Sequence, residues 1–287
     1  MSGPLLHDGL LQVFDVEHGA CSLLTVPKED GGVMRLLIDC GHHANMPWYP
    51  GAHLASIGVH HVDQLVVTNY DEDHVSGYRD LLQRGIQVPW ILRNPSVAPQ
   101  TIRELKSEDG MGPGIDALVN NLQNYGPVAV GGPQPPLFPG VHREWIWNQY
   151  PYFEDENNLS LILHLKIHGF SFLYTGDMEC DGFRNVLETN TRFREICGQV
   201  DVLMASHHGR ENGICSEMFD DWACQPKLVV ISDCPKKFGT QETTNYYDSK
   251  ATGISNFRGV GNTRRVLTTR NDGEIQFSFQ GGNCWVY

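Results

Sequence analysis

The segment Leu65-Val66-Val67 runs directly into Thr68-Asn69-Tyr70-Asp71-Glu72-Asp73-His74-Val75-Ser76-Gly77. An apolar run that stops on carboxylates and an imidazole reads as a buried strand ending in a tight turn that leads into a helix. Two later segments have the same build: Phe172-Leu173-Tyr174-Thr175-Gly176-Asp177 and Val202-Leu203-Met204-Ala205-Ser206-His207-His208-Gly209. Any one of them alone is an ordinary solvated or helix-capping strand end. Three in one chain imply strand tips that converge on a single cation.

A divalent ion of hard or borderline character takes carboxylate oxygen and imidazole nitrogen at about 2.0–2.2 Å, and strand tips are rigid enough to hold that geometry. Asp73, His74, Asp177 and His207 would complete one shell, with His208 the neighbouring candidate for the second imidazole. Asp71 and Asp177 could bridge to a second ion. The set is rich in carboxylate, so the expected metal is Zn2+ or, as a rival, Mn2+, with one or two ions per chain.

With 287 residues, 40% hydrophobic and 19% charged, the chain can bury a large core, and no composition shift divides it. One domain over residues 1–287 is expected. No run of eighteen apolar residues and no charged-then-apolar leader is present, so neither a membrane span nor a signal peptide is expected, and a cytoplasmic location follows. The eight cysteines are scattered without a Cys-x-x-Cys pair, which excludes zinc ribbons and thioredoxin-type sites and implies reduced thiols. A net charge of −13 opposes a protein that grips nucleic acid over its whole surface, because phosphate binding is driven by Lys and Arg.

Periodicity predicts strands at Leu10–Asp15, Ser22–Val26, Met34–Asp39, Gln64–Thr68 and Trp90–Leu92 in the first half. A helix over Ser76–Gln83 and a broken helical stretch over Thr101–Tyr125 accompany them. The second half repeats the theme, with strands at Glu144–Asn148, Leu159–Ile167, Phe170–Thr175, Asp201–Ser206, Lys227–Ser232, Arg265–Thr269 and Glu274–Phe279, and helices at Phe183–Cys197 and Ser216–Trp222. Asn271-Asp272-Gly273 reads as a hairpin turn between the last two strands. This interleaving is that of an α/β fold, an αββα sandwich of two mixed β-sheets with the polar turn at one edge. His164, inside Leu161-Ile162-Leu163-His164-Leu165, is expected to be a hydrogen-bonded histidine rather than a ligand.

An ordered set of segments resembles the metallo-β-lactamase fold hydrolases, and within them the ComEC-like domains. It comprises Asp15-Val16-Glu17-His18-Gly19-Ala20-Cys21-Ser22-Leu23-Leu24, Leu37-Ile38-Asp39-Cys40-Gly41, Asn69 to Gly77, Asn157-Asn158-Leu159-Ser160-Leu161, Thr175-Gly176-Asp177, Ala205-Ser206-His207-His208-Gly209 and Val230-Ile231-Ser232. The chain departs from the family pattern His-x-His/Asp-x-Asp-His at Asn69, which stands where the first histidine belongs. A neutral amide is a poor substitute for imidazole, so one of the two family metal sites should be weakened. The family's Tyr-Gly-His-Pro ending is also absent; Asn245-Tyr246-Tyr247-Asp248-Ser249-Lys250 stands there, preceded by Lys236 and Lys237.

The chemistry expected is metal-assisted hydrolysis, with Asp73 orienting or deprotonating water. The resemblance implies that Asp71 takes part and that Asp39 steadies the ligands from behind. It further implies a DNA or nucleotide phosphodiester as substrate. Candidate substrate contacts are Asn69, Tyr70 and Asn158, Lys236, Lys237 and Lys250 for phosphate, and Tyr246 or Tyr247 for stacking on a base. Two alternatives remain open at this point: an ester or amide hydrolase of the same fold, and a catalytically weakened metal-binding protein whose acidic surface docks a protein partner.

Overall fold

The computed structural model describes residues 8–107, 110–126, 134–234, 240 and 242–287. In chain order the strands are β1 (Gly9–Val13), β2 (Ser22–Pro27), β3 (Val33–Ile38), β4 (Gln64–Val66), β5 (Ile91–Leu92), β6 (Val141–Trp147), β7 (Leu161–Ile167) and β8 (Phe170–Tyr174). They continue with β9 (Val202–Met204), β10 (Leu228–Ile231), β11 (Ile254–Ser255), β12 (Thr263–Arg264), β13 (Val266–Thr268), β14 (Ile275–Gln280) and β15 (Asn283–Val286). The helices are α1 (Pro50–Ser56), α2 (Glu72–Val75), α3 (Tyr78–Gln83), α4 (Pro99–Leu105), α5 (Pro113–Leu122), α6 (Cys180–Thr189), α7 (Thr191–Cys197), α8 (Ser216–Asp220), α9 (Thr244–Lys250) and α10 (Thr269–Asp272).

A seven-stranded sheet runs β15-β14-β1-β2-β3-β4-β5 and a six-stranded sheet runs β13-β10-β9-β8-β7-β6. The period-two alternation of each strand explains how they stack. Leu11, Val13, Leu24, Leu36 and Ile38 of the first sheet meet Leu161, Leu163, Leu165, Phe172 and Met204 of the second in one buried cluster. The opposite faces feed two outer clusters, one packed under α1, α3, α4 and α5 and one under α6 to α9. The result is an αββα sandwich, as the interleaved sequence pattern predicts. Each fully buried Leu or Phe in these layers stabilises the fold by about 1.5–3 kcal/mol.

The same alternation disposes of His164. Its neighbours Leu163 and Leu165 face the inter-sheet core, so its side chain turns to the outer face, 2.8 Å from Ser171 Oγ and 3.4 Å from Glu144 Oε1.

Both sheets are antiparallel on one flank and parallel on the other: β3, β4 and β5 run parallel, as do β8, β9, β10 and β13. Parallel strands end at a common edge, and there the polar strand tips gather. The Leu161 N–H donates to Thr68 O at 2.7 Å and joins the two sheets at that edge.

Three local expectations change. The helix expected over Ser76–Gln83 begins at Tyr78 as α3 and is preceded by the separate one-turn α2, because the Gly77 N–H between them turns away to Cys40 O at 2.8 Å. The helix expected over Phe183–Cys197 is α6 and α7, separated by Asn190, whose side chain accepts the Phe193 N–H at 3.0 Å and caps the second piece. Asn271-Asp272-Gly273 is not a hairpin turn. β13 belongs to one sheet and β14 to the other, and the connection is the one-turn α10, capped by Thr268 Oγ1. A turn motif records a local reversal, not which sheet receives the next strand.

Candidate metal centre

Ligand atoms of Asp73, His74, Asp177 and His208 all lie within 4.8 Å of one another. Asp73 and His74 come from α2, Asp177 from the end of β8 and His208 from the short helical turn after β9. The turn that carries α2 is clamped from behind. Ala20 N donates to Asp73 O at 3.3 Å and Cys40 N to His74 O at 2.8 Å. That approach is possible because Gly19 and Gly41 stand there: a Cβ at either would lie 2.6 or 2.3 Å from the Asp73 carbonyl oxygen.

Each imidazole is oriented by a partner on its far side. His74 Nδ1 lies 2.9 Å from Asp39 Oδ2, while its Nε2 lies 2.9 Å from Asp177 Oδ1. Asp39 is itself held by the Thr68 N–H at 2.7 Å and the Thr68 hydroxyl. It adopts a φ of 54°, an uncommon conformation for a residue with a Cβ. His208 Nδ1 donates to Ser232 O at 3.0 Å, leaving Nε2 toward the cluster. These are the arrangements that fix the tautomer of a metal-ligating histidine.

Three observations test whether the set fits a cation. His208 Nε2 is buried, lies 3.2 Å from Asp73 Oδ2 and 3.5 Å from Asp177 Oδ1, and is aligned as a hydrogen bond with neither. His74, Asp177 and His208 are each at most 4% exposed at the side chain. The electrostatics call for positive charge at this point. Burial opposes ionisation of Asp73 and Asp177, yet the neighbouring imidazoles outweigh it and hold both carboxyls below their usual range. Burial likewise opposes the charged imidazoles, yet Asp177 and its fellow carboxylates push His74 and His208 up. The carboxylates thus draw cations to themselves, and a divalent ion is what two carboxylates and two inward-facing Nε2 atoms would hold in place of protons. Asp73 is the exposed member, with 34% of its side chain open to solvent, so water reaches the centre past it.

The structure brings together only part of the sequence-stated set. His207 is turned out of the cluster: its Nε2 meets Arg210 Nη1 at 3.3 Å and its Nδ1 lies 3.6 Å from Glu179. His208 takes the place expected of it. Three consecutive left-handed residues, His207, His208 and Gly209, make this reversal (φ 50°, 52° and 72°). It is anchored where Ser206 Oγ donates to Met178 O and His207 N to Gly176 O.

Asp71 is outside the cluster and is ion-paired with Lys106. Asn69 is 1% exposed and spent on structure: its Oδ1 accepts the Asp71 N–H at 2.7 Å and its Nδ2 donates to Ser160 Oγ at 3.0 Å. Tyr70 is buried with its hydroxyl on Asn94 O, and Asn158 is buried with Oδ1 accepting the Gly182 N–H, so neither is placed to touch a substrate.

Tyr247 is 2% exposed in the outer core under the second sheet, and Tyr246 packs edge-on to Phe219 beside it. Lys250 pairs with Asp220 and lies over the Tyr246 ring. The stacking and phosphate roles expected of these three are therefore corrected: the side chains of α9 serve packing, because a short helix after β10 had to cover that face. Lys236 and Lys237 lie outside the described residues.

Sequence reasoning missed Thr68, Ser160, Lys106 and Glu156. Ser160 Oγ accepts both Asn69 Nδ2 and the Asp177 N–H at 3.0 Å and so ties the turn to the β8 tip. Lys106 is 5% exposed and reaches Asp71 and Glu156 from the end of α4.

No protein-family model matches the chain. ComE operon protein 3 of Bacillus subtilis (strain 168) is 23% identical over 308 aligned residues, covering 99% of this chain. The chain spans 35% of the length of that protein. Among solved structures, a diphosphatase from the PhnP family superposes with a TM-score of 0.41 at 10% identity, over 95% of this chain and 98% of that one. Among the described residues no helix is long and apolar enough to cross a membrane. The sequence similarity to ComE operon protein 3 extends over nearly the whole chain, and the chain folds as two mixed sheets between helices.

Proposed function

We propose that the chain is a metal-dependent hydrolase that cuts a phosphodiester in DNA or another nucleotide substrate. The observation that carries the hydrolase reading is the set Asp73, His74, Asp177 and His208, buried but for Asp73, with its orienting partners Asp39 and Ser232. These four would hold a divalent ion, which supplies Lewis acidity toward the bond being cut and brings the pKa of a bound water to about 7. Zn2+ and Mn2+ both suit two imidazoles with two carboxylates.

The chain's own groups do the rest. Asp39 accepts a hydrogen bond from His74 Nδ1–H and Ser232 O accepts one from His208 Nδ1–H, so both Nε2 lone pairs face the centre. Asp177, 3% exposed, excludes bulk water from the floor of the site. Asp73, at the open side, accepts a hydrogen bond from the attacking water and orients it; a carboxyl held below its usual range is better suited to orienting than to deprotonating. The phosphodiester reading is supported by the resemblance to ComEC-like domains and by the similarity to ComE operon protein 3.

The test is elemental analysis of the purified chain together with turnover of a bis-aryl phosphodiester and of single-stranded DNA under Zn2+ and Mn2+. Bound metal and turnover are expected, and His74→Ala and Asp177→Ala should lose the metal while remaining folded. Full metal retention in both variants would sink the ligand assignment. Turnover of an ester or amide in place of phosphodiesters would move the chain to the general hydrolases. Metal without turnover of any substrate would make it a binding protein.

A further inference from the structure

We infer that the Lys106 ammonium occupies, as a tethered cation, the position beside the centre that a second divalent ion would take, so that this chain is built for one ion plus one lysine. The inference rests on the metal reading above and adds to it which of the chain's own residues decides the number of ions.

Three features of the turn carry it. Asp71, two residues before the candidate ligand Asp73, points to Lys106 and not into the cluster. Its carbonyl accepts the His74 N–H at 3.1 Å, so the Asp71–Lys106 pair sits on the same turn as the candidate ligands. Asn69 is buried and engaged at both ends of its amide. Its oxygen accepts the Asp71 N–H, and its Nδ2 donates to Ser160 Oγ, to Asn157 Oδ1 at 3.3 Å and to Glu156 O at 3.3 Å.

The ammonium lies between Asp71 and Glu156, with 6% of its side chain exposed. Burial works against its charge, and the bonds to the two carboxylates outweigh burial and raise its pKa. A carboxylate pair around a buried cation is the electrostatic setting of a metal site, here satisfied covalently by the chain.

A divalent ion would have to displace this group, and the displacement is opposed twice over. Lys106 is held next to its partners by α4 at a fixed local concentration, and an evicted ammonium would have to be solvated or buried without a partner. The missing imidazole at Asn69 is then only half of the reason for a weak second position. Restoring the imidazole without removing the ammonium should not restore the site.

The experiment measures bound Mn2+ or Zn2+ per chain by elemental analysis after gel filtration, with calorimetric titration of the same metal alone. Four proteins are compared: wild type, Asn69→His, Asn69→His with Lys106→Met, and Asn69→His with Lys106→Arg. Thermal melts establish that each is folded.

One ion is expected in wild type, in Asn69→His and in the arginine variant, whose cation is retained. The methionine variant should take up a second ion, with affinity at that step about tenfold or more above that of Asn69→His. Two ions in Asn69→His alone, or in wild type, would overturn the inference and leave the metal reading standing. A methionine variant that is folded and still holds one ion would also overturn it. If the methionine variant does not fold, a second ion in the arginine variant overturns the inference and one ion there supports it. No metal in any of the four would remove the metal reading and the inference together.

Discussion

Asp39→Asn isolates the contribution of the carboxylate behind His74. In the wild type the Asp39 carboxylate accepts the Thr68 N–H at 2.7 Å and the Thr68 hydroxyl, and lies 2.9 Å from His74 Nδ1. Asparagine is isosteric and tolerates the left-handed backbone at this position (φ 54°). Its oxygen can keep the Thr68 N–H, and its NH2 group then faces His74 Nδ1. The imidazole must accept there and carry its proton on Nε2, where it meets Asp177 Oδ1 at 2.9 Å. A protonated Nε2 has no lone pair for an ion.

Loss of such an orienting partner lowers metal affinity by about 10–100-fold, equivalent to about 1.4–2.7 kcal/mol. Competition against a chelating dye reads the affinity and a thermal melt reads the fold. Asp39→Ala is the contrasting variant: it strands the buried Thr68 N–H and places alanine at positive φ, so about 1–3 kcal/mol of stability should go with the metal. A folded Asp39→Asn protein that binds metal as tightly as wild type would refute the tautomer argument.

Three further outcomes follow from the same structure. His208→Ala should lose the metal whereas His207→Ala, outside the cluster, should keep most of it, as elemental analysis of the two proteins will show; the opposite pattern would return the ligand role to His207. Lys236→Ala with Lys237→Ala is expected to weaken nucleic-acid binding and flatten its salt dependence with metal content unchanged, measured by fluorescence anisotropy at several salt concentrations; an unchanged salt slope would remove both lysines from the phosphate role. Glu144 is hydrogen-bonded to Arg192, which holds its carboxyl down at about 2 against an ordinary 4.5. A depressed folded-state pKa adds stability above 4.5 that is lost as pH falls toward 2, so the deficit of Glu144→Gln in urea unfolding should be under about 1 kcal/mol near neutrality and shrink through that window; a deficit independent of pH would show that packing and not charge is responsible.

The legible parts of this protein are those written locally. Leu65-Val66-Val67, Phe172-Leu173-Tyr174 and Val202-Leu203-Met204 each end on polar residues that terminate a buried strand, and alternation along β7 told His164 apart from the ligands. The split of α6 from α7 at Asn190 was also available, since an Asn three residues before an apolar Phe193 is a capping signal that periodicity alone overrode. The hairpin reading of Asn271-Asp272-Gly273 failed because sheet membership depends on pairing with β1, more than two hundred residues away in the chain.

By itself the sequence determined the αββα class, the polar strand tips that meet at one edge and the amide that stands at position 69, because strand period, turn chemistry and residue type are properties of neighbouring residues. Only the tertiary structure decided which of two adjacent histidines faces the centre, since that depends on a left-handed reversal anchored by Ser206 on Met178 O and His207 N on Gly176 O. It also decided that α9 packs its tyrosines inward and that Lys106, from the end of a distant helix, reaches Asp71. Those outcomes depend on long-range packing and on the high cost of leaving a buried charge unpaired, and neither is recorded in the spacing of residues along the chain.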